Sequence, residues 1–220
     1  MTTISLTELI LAIEQADSPV ALISAVRALS AARSPDAIPM LIRVLGFNNP
    51  GAAVAAVDGL VQLGEEAVEP LLEQLDGYNY GARAYAIRAL AAIADPRALG
   101  VLLEAAETDF APSVRRAATK GLGFLDWHKL PDEAITHGQA AALKSLLYIS
   151  HDPDWALRYA AVVGLQALAS RNDSAELVRV VLNRLGELLQ LEVDAATRAR
   201  VRFAQRSLHI WSDRLLAASR

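Results

Sequence analysis

Apolar positions recur along the chain in one short block, and the spacing of that block predicts the architecture. It reads Val26-Arg27-Ala28-Leu29, Val57-Asp58-Gly59-Leu60, Ile87-Arg88-Ala89-Leu90, Lys120-Gly121-Leu122, Val163-Gly164-Leu165 and Gln205-Arg206-Ser207-Leu208. The anchoring leucines are 31, 30, 32, 43 and 43 residues apart. The short spacings fit two helices of about three turns each joined by tight turns. The long ones fit the same unit with longer helices or an inserted loop. Turn signals sit where this scheme needs them. Asn49-Pro50-Gly51 opens a helix with proline in the first turn, where its missing N–H does no harm. Asp95-Pro96 and Asp152-Pro153 read as an N-capping Asp followed by proline at the first helical position.

The predicted helices pair as 5–16 with 19–32, 36–46 with 50–63, 66–76 with 80–94, 97–108 with 112–124, 139–150 with 154–169, and 174–191 with 195–217. No stretch alternates apolar and polar residues between turn signals, so no β-sheet is expected. One hairpin cannot bury its own apolar face, so neighbouring hairpins must stack into one array. The expected fold is therefore an all-α solenoid of about six hairpins forming a single domain over residues 1–220. Residues 126–138, Asp126 to Gly138, break the pattern and read as a loop insertion.

Composition narrows the chemistry. The 53% hydrophobic content supplies a core, and the 5% aromatic content makes that core mostly Ala, Leu, Val and Ile. A net charge of −4 argues against general nucleic-acid binding, which needs a basic face. The charge is uneven: residues 171–220 carry nine Arg against six acids. Such a basic end either steers an acidic partner or is a solvated terminal face. The absence of cysteine excludes disulfides, thiolate zinc sites and a cysteine nucleophile from this chain. The N-terminal Met1-Thr2-Thr3-Ile4 lacks a basic signal-peptide region, and charges interrupt every apolar run. A cytoplasmic protein with no membrane span is expected.

Four stretches carry a resemblance. They are Asn49 to Leu60, Tyr78-Asn79-Tyr80-Gly81-Ala82-Arg83 running on to Leu90, Asp109-Phe110 with Ser113 to Ala118, and Trp155-Ala156-Leu157-Arg158-Tyr159-Ala160 running on to Gln166. Together they resemble the F-type, smaller subunit of the heterodimeric phycocyanin α-subunit phycocyanobilin lyases, a family of HEAT-like repeat proteins. The Val-Arg-x-x-Ala-Ala core is common to many HEAT-like repeats, whereas the Tyr-Asn-Tyr-Gly-Ala-Arg and Trp-x-x-Arg-Tyr strings are more specific. The resemblance implies a cyanobacterial bilin lyase, active as a heterodimer with a larger E-type subunit. Its substrate would be phycocyanobilin, with no permanently bound cofactor. Its acceptor would be the phycocyanin α subunit, joined to the bilin by a thioether bond at a cysteine. A related lyase–isomerase subunit uses a Cys/His motif, and this chain has no cysteine, so attachment without isomerisation is expected. The alternatives are a non-enzymatic adaptor that binds phycobiliproteins in phycobilisome assembly or degradation, and a bare interaction scaffold.

A bilin offers two propionates, a conjugated face and pyrrole N–H groups, so its site calls for Arg or Lys, aromatic rings and an acceptor such as Asp. Arg83, Arg115 and Arg158 each lie seven residues before an anchoring leucine, so they hold equivalent places on three second helices. They read either as anion-binding cations or as a ladder pairing with acids of neighbouring repeats. Tyr78 and Tyr80 flank Asn79 in a turn, where helix packing does not call for aromatics. Trp155 and Tyr159 are four apart and share a helix face beside Arg158, or else pack on the 126–138 insertion. Tyr78, Tyr80, Arg83, Trp155, Arg158 and Tyr159 are thus the candidate contacts to the bilin or acceptor. In HEAT-like repeats the second helices line the concave face, which would carry them. No catalytic residue is assigned. The four histidines lack ligand spacing, so no metal site is expected.

Overall fold

The computed structural model describes residues 4–76, 80–172 and 174–218. Twelve α-helices lie among them, and no strand. The chain divides into two compact units, residues 1–98 and 99–220.

The first unit holds α1 (Leu6–Glu14), α2 (Pro19–Ala31), α3 (Ile38–Leu45), α4 (Pro50–Leu63), α5 (Val68–Glu73) and α6 (Tyr80–Ile93), and closes with a 3-10 turn at Pro96–Ala98. Consecutive helices pair as hairpins, and the second helices α2, α4 and α6 pack in series. The second unit holds α7 (Leu99–Thr108), α8 (Pro112–Phe124), α9 (Asp132–Ile149), α10 (Trp155–Ser170), α11 (Ala175–Leu191) and α12 (Ala195–Ala218). Here α8, α10 and α12 pack in series, with α7 against α9. All six anchoring leucines, Leu29, Leu60, Leu90, Leu122, Leu165 and Leu208, are fully buried. The repeated block thus marks the residue that each hairpin inserts into the core.

Side-chain caps start the helices. Ser5 and Glu8 form a reciprocal capping box, and Ser18, Asp154 and Ser174 cap α2, α10 and α11. Asn49 caps α4 through the Ala52 N–H at 3.1 Å, and its own amide donates to the Pro19 carbonyl at 3.2 Å. That second bond ties one hairpin to the previous one. Asn49→Ala is therefore expected to destabilise the protein by about 1–2 kcal/mol, the upper range for a lost cap. Urea unfolding followed by circular dichroism checks this.

The 126–138 segment is shorter as a loop than the sequence suggested. After a 3-10 turn at Trp127–Lys129, α9 already begins at Asp132. Pro131 stands at its N-cap, and Asp132 and Glu133 place negative charge on its first turn. Gly138, the last residue of the expected loop, lies inside α9 and is buried. A Cβ there would stand 2.6 Å from the Trp127 ring, so the glycine admits the indole. No helix among the described residues is long and apolar enough to cross a membrane.

Candidate functional site

Of the six candidate residues, three belong to each unit. Tyr78 lies outside the described residues. Tyr80 is the first residue of α6. Arg83 follows one turn later and is half-buried.

In the second unit, Trp155 opens α10 and is 50% exposed, while Tyr159 is half-buried one turn below. The backbone under Trp155 is held by α12, because its carbonyl accepts a hydrogen bond from the Thr197 hydroxyl at 3.3 Å. Arg158 is drawn into the turns instead. Its Nε and Nη2 both donate to Glu192 at 2.7 Å, in a two-pronged pair, and Nη1 donates to the Asp152 and Pro153 carbonyls at 2.9 Å. The Glu192 side chain is only 1% exposed. The Arg158 guanidinium holds its carboxyl below the usual carboxylate range, against the opposing effect of burial.

Arg115, the preceding equivalent on α8, pairs with Asp152 at 2.8 Å and donates through Nε to the Ala106 carbonyl. A ladder therefore runs through this unit, in which Arg115 and Arg158 each reach an acid in the turn of the next hairpin. The sequence reads Asp152 as the cap of α10, but the helix starts two residues later. Asp154 caps it, and Asp152 instead holds the Asp154 N–H and Arg115.

Sequence reasoning did not find Arg200. This α12 residue reaches back across α10, where Nη2 donates to the Gln166 side-chain oxygen at 2.6 Å. Its guanidinium carbon lies 5.1 Å from the centroid of the Phe203 ring. Phe203 is 54% exposed. Trp155, Tyr159, Gln166, Arg200 and Phe203 thus line one seam between two second helices. It carries exposed aromatic surface and one cation, and no ionisable group there is placed as a nucleophile.

The family model for HEAT repeats matches residues 6–77 and 68–137. The phycocyanobilin lyase subunit beta of Nostoc sp. is 55% identical over 198 residues, spanning 90% of this chain and 98% of that protein. The chain belongs to the HEAT-repeat family of phycocyanobilin lyase subunits. The phycocyanin alpha phycocyanobilin lyase CpcF of Synechocystis sp. is 59% identical over 163 residues, covering 74% of this chain and 76% of that one. One chain of the solved complex of CpcE and CpcF of phycocyanin lyase from Nostoc sp. is 56% identical with a TM-score of 0.73, covering 78% of this chain and 99% of that chain. Membership in this family fits the all-α hairpin architecture of both units, and it gives the aromatic seam a chemical context.

Proposed function

We propose that this chain is the smaller subunit of a heterodimeric lyase that attaches phycocyanobilin to the phycocyanin α subunit. The observation that carries this reading is the 55% identity to a lyase subunit across 90% of the chain. The likeness to a chain of the CpcE–CpcF complex supports an E-type subunit as the partner. The bond formed is a thioether. The acceptor's cysteine thiolate adds to the exocyclic ethylidene carbon of the bilin, its C=C becomes a single bond, and a proton is delivered to the ring carbon that takes the electron pair. Addition alone needs no oxidant or reductant, and the cysteine-free chain leaves the nucleophile to the acceptor. The product is attached without isomerisation of the bilin.

Co-expression of both subunits with phycocyanobilin and the phycocyanin α subunit tests this. The expected result is chromophore that stays on the α subunit after denaturation, with the absorbance of the unisomerised bilin. Covalent pigment at the same level without this chain would overturn the assignment.

Tyr78, Tyr80 and Arg83 in the first unit and Trp155, Arg158 and Tyr159 in the second are proposed to contact the bilin or the acceptor. Trp155 is the sharpest test because its ring is half exposed. Trp155→Ala is expected to leave stability within about 0.5 kcal/mol, as for a surface substitution. It should lower chromophore transfer about tenfold, which corresponds to ~1.4 kcal/mol of lost aromatic contact. Normal transfer by a folded Trp155→Ala heterodimer would make the ring a packing element.

A further inference from the structure

Arg200 is a part-buried cation of the second unit. The part-buried Arg115, Arg158 and Arg184 each have a carboxylate, from Asp152, Glu192 and Glu187. Among the described residues no carboxylate pairs with Arg200. Its Nη1 is buried and has no hydrogen-bond partner. Burial works against the charged form, with only the Tyr159 phenol opposing that effect. A desolvated guanidinium without a counter-ion is costly, and buried donors without partners are uncommon in folded proteins. A ligand that brings a negative charge to the guanidinium removes the first penalty, while the enclosed Nη1 stays out of its reach. The surroundings specify its kind: the Phe203 ring lies under the guanidinium and the Tyr159 phenol is near enough to act on its charge, so aromatic rings flank the cation. A planar conjugated ligand packs on such rings while a carboxylate reaches the cation.

We propose that Arg200 receives a propionate carboxylate of the bilin, with part of the tetrapyrrole lying along the α10–α12 seam. This deepens the lyase reading above and rests on it. Gln166 then acts as a positioning residue, because its bond to Nη2 fixes the plane of the guanidinium. A propionate is a strong partner for Arg through paired N–H donors, and its methyl ester is not.

The test is a titration of the purified heterodimer with phycocyanobilin and, separately, with its dimethyl ester. The wild-type complex is expected to bind the free acid at least about tenfold more tightly than the ester. Arg200→Gln should weaken the acid alone and bring the two pigments to within about twofold of each other, and Arg200→Lys should restore part of the preference. Thermal unfolding should show Arg200→Gln to be no less stable than the wild type, since the substitution removes an unbalanced charge. A folded Arg200→Gln complex that keeps the full acid-over-ester preference would overturn the assignment of Arg200. So would a wild-type complex that binds acid and ester equally, which leaves the lyase reading standing. Binding of neither pigment would overturn the bilin-handling reading, and the Arg200 assignment with it.

Discussion

Gly123→Ala is expected to destabilise the protein by about 3 kcal/mol or more, the upper end of overpacking substitutions. The helices α8 and α10 cross with glycine against glycine. A Cβ on Gly123 would run into the Gly164 carbonyl oxygen and stand 2.5 Å from the Gly164 Cα. A Cβ on Gly164 would stand 2.8 Å from the Thr119 carbonyl oxygen and 2.6 Å from Leu146. Backbone cannot rotate aside as a side chain can, so the helices themselves must part. Around the crossing, Ala118, Leu122, Ala160, Ala161 and Leu165 are fully buried, and separation loosens all of their contacts. Gly186→Ala supplies the control. It lies inside α11, where the nearest atom to a new Cβ is the Gln205 amide nitrogen at 3.9 Å. That substitution should stabilise by about 0.5–1 kcal/mol by removing a helical glycine. Urea unfolding of both variants decides it, and a Gly123→Ala protein as stable as the wild type would refute the close crossing.

The same glycines show what was legible in the sequence. Val163-Gly164-Leu165 announced a repeat, and Leu165 is buried as its register requires, yet the pattern could not say why glycine precedes it. The reason is a neighbour 41 residues away. Helix pairing was readable because it depends on local periodicity, and each predicted hairpin appears with its ends shifted by a few residues. The start of α9 falls inside the expected 126–138 loop because that segment breaks the repeat pattern, and only the structure shows that Gly138 sits within a helix to admit Trp127. Asp152 was misread as a cap because the Asp152-Pro153-Asp154 run offers two carboxylates, and only the geometry shows which one Arg115 claims. Arg83, Arg115 and Arg158 are legible as equivalent positions, and of the two readings open to them the ladder holds for Arg115 and Arg158, whose acids come from the next hairpin. Arg200 was invisible to motif reading for a related reason. It stands out by an enclosed Nη1 with no hydrogen-bond partner among the described residues, which spacing along the chain does not reveal.

Arg158→Ala is expected to cost about 3–5 kcal/mol, the range for removing one partner of a buried ion pair. Glu192 would keep its charge in a site with 1% side-chain exposure, and the Asp152 and Pro153 carbonyls would lose their donor. The pH dependence follows from the direction of the Glu192 shift. Hydrogen bonding to Arg158 lowers its carboxyl below the ordinary 4.5, so the unfolded chain takes up a proton first as the pH falls. The stability this pair contributes is complete above 4.5 and is lost as the pH drops towards the folded value. Glu192→Gln should therefore be less stable than the wild type at neutral pH, with the gap closing below 4.5. Equal stability of the two at neutral pH would mean that the pair holds nothing together. The double variant Arg158→Met with Glu192→Leu removes both charges, and is expected to recover most of the loss because no buried charge remains. It also separates the two roles open to Arg158. If the folded double variant transfers chromophore normally, Arg158 is a rung of the ladder alone. If transfer falls while the fold survives, Arg158 serves the bilin or the acceptor as well.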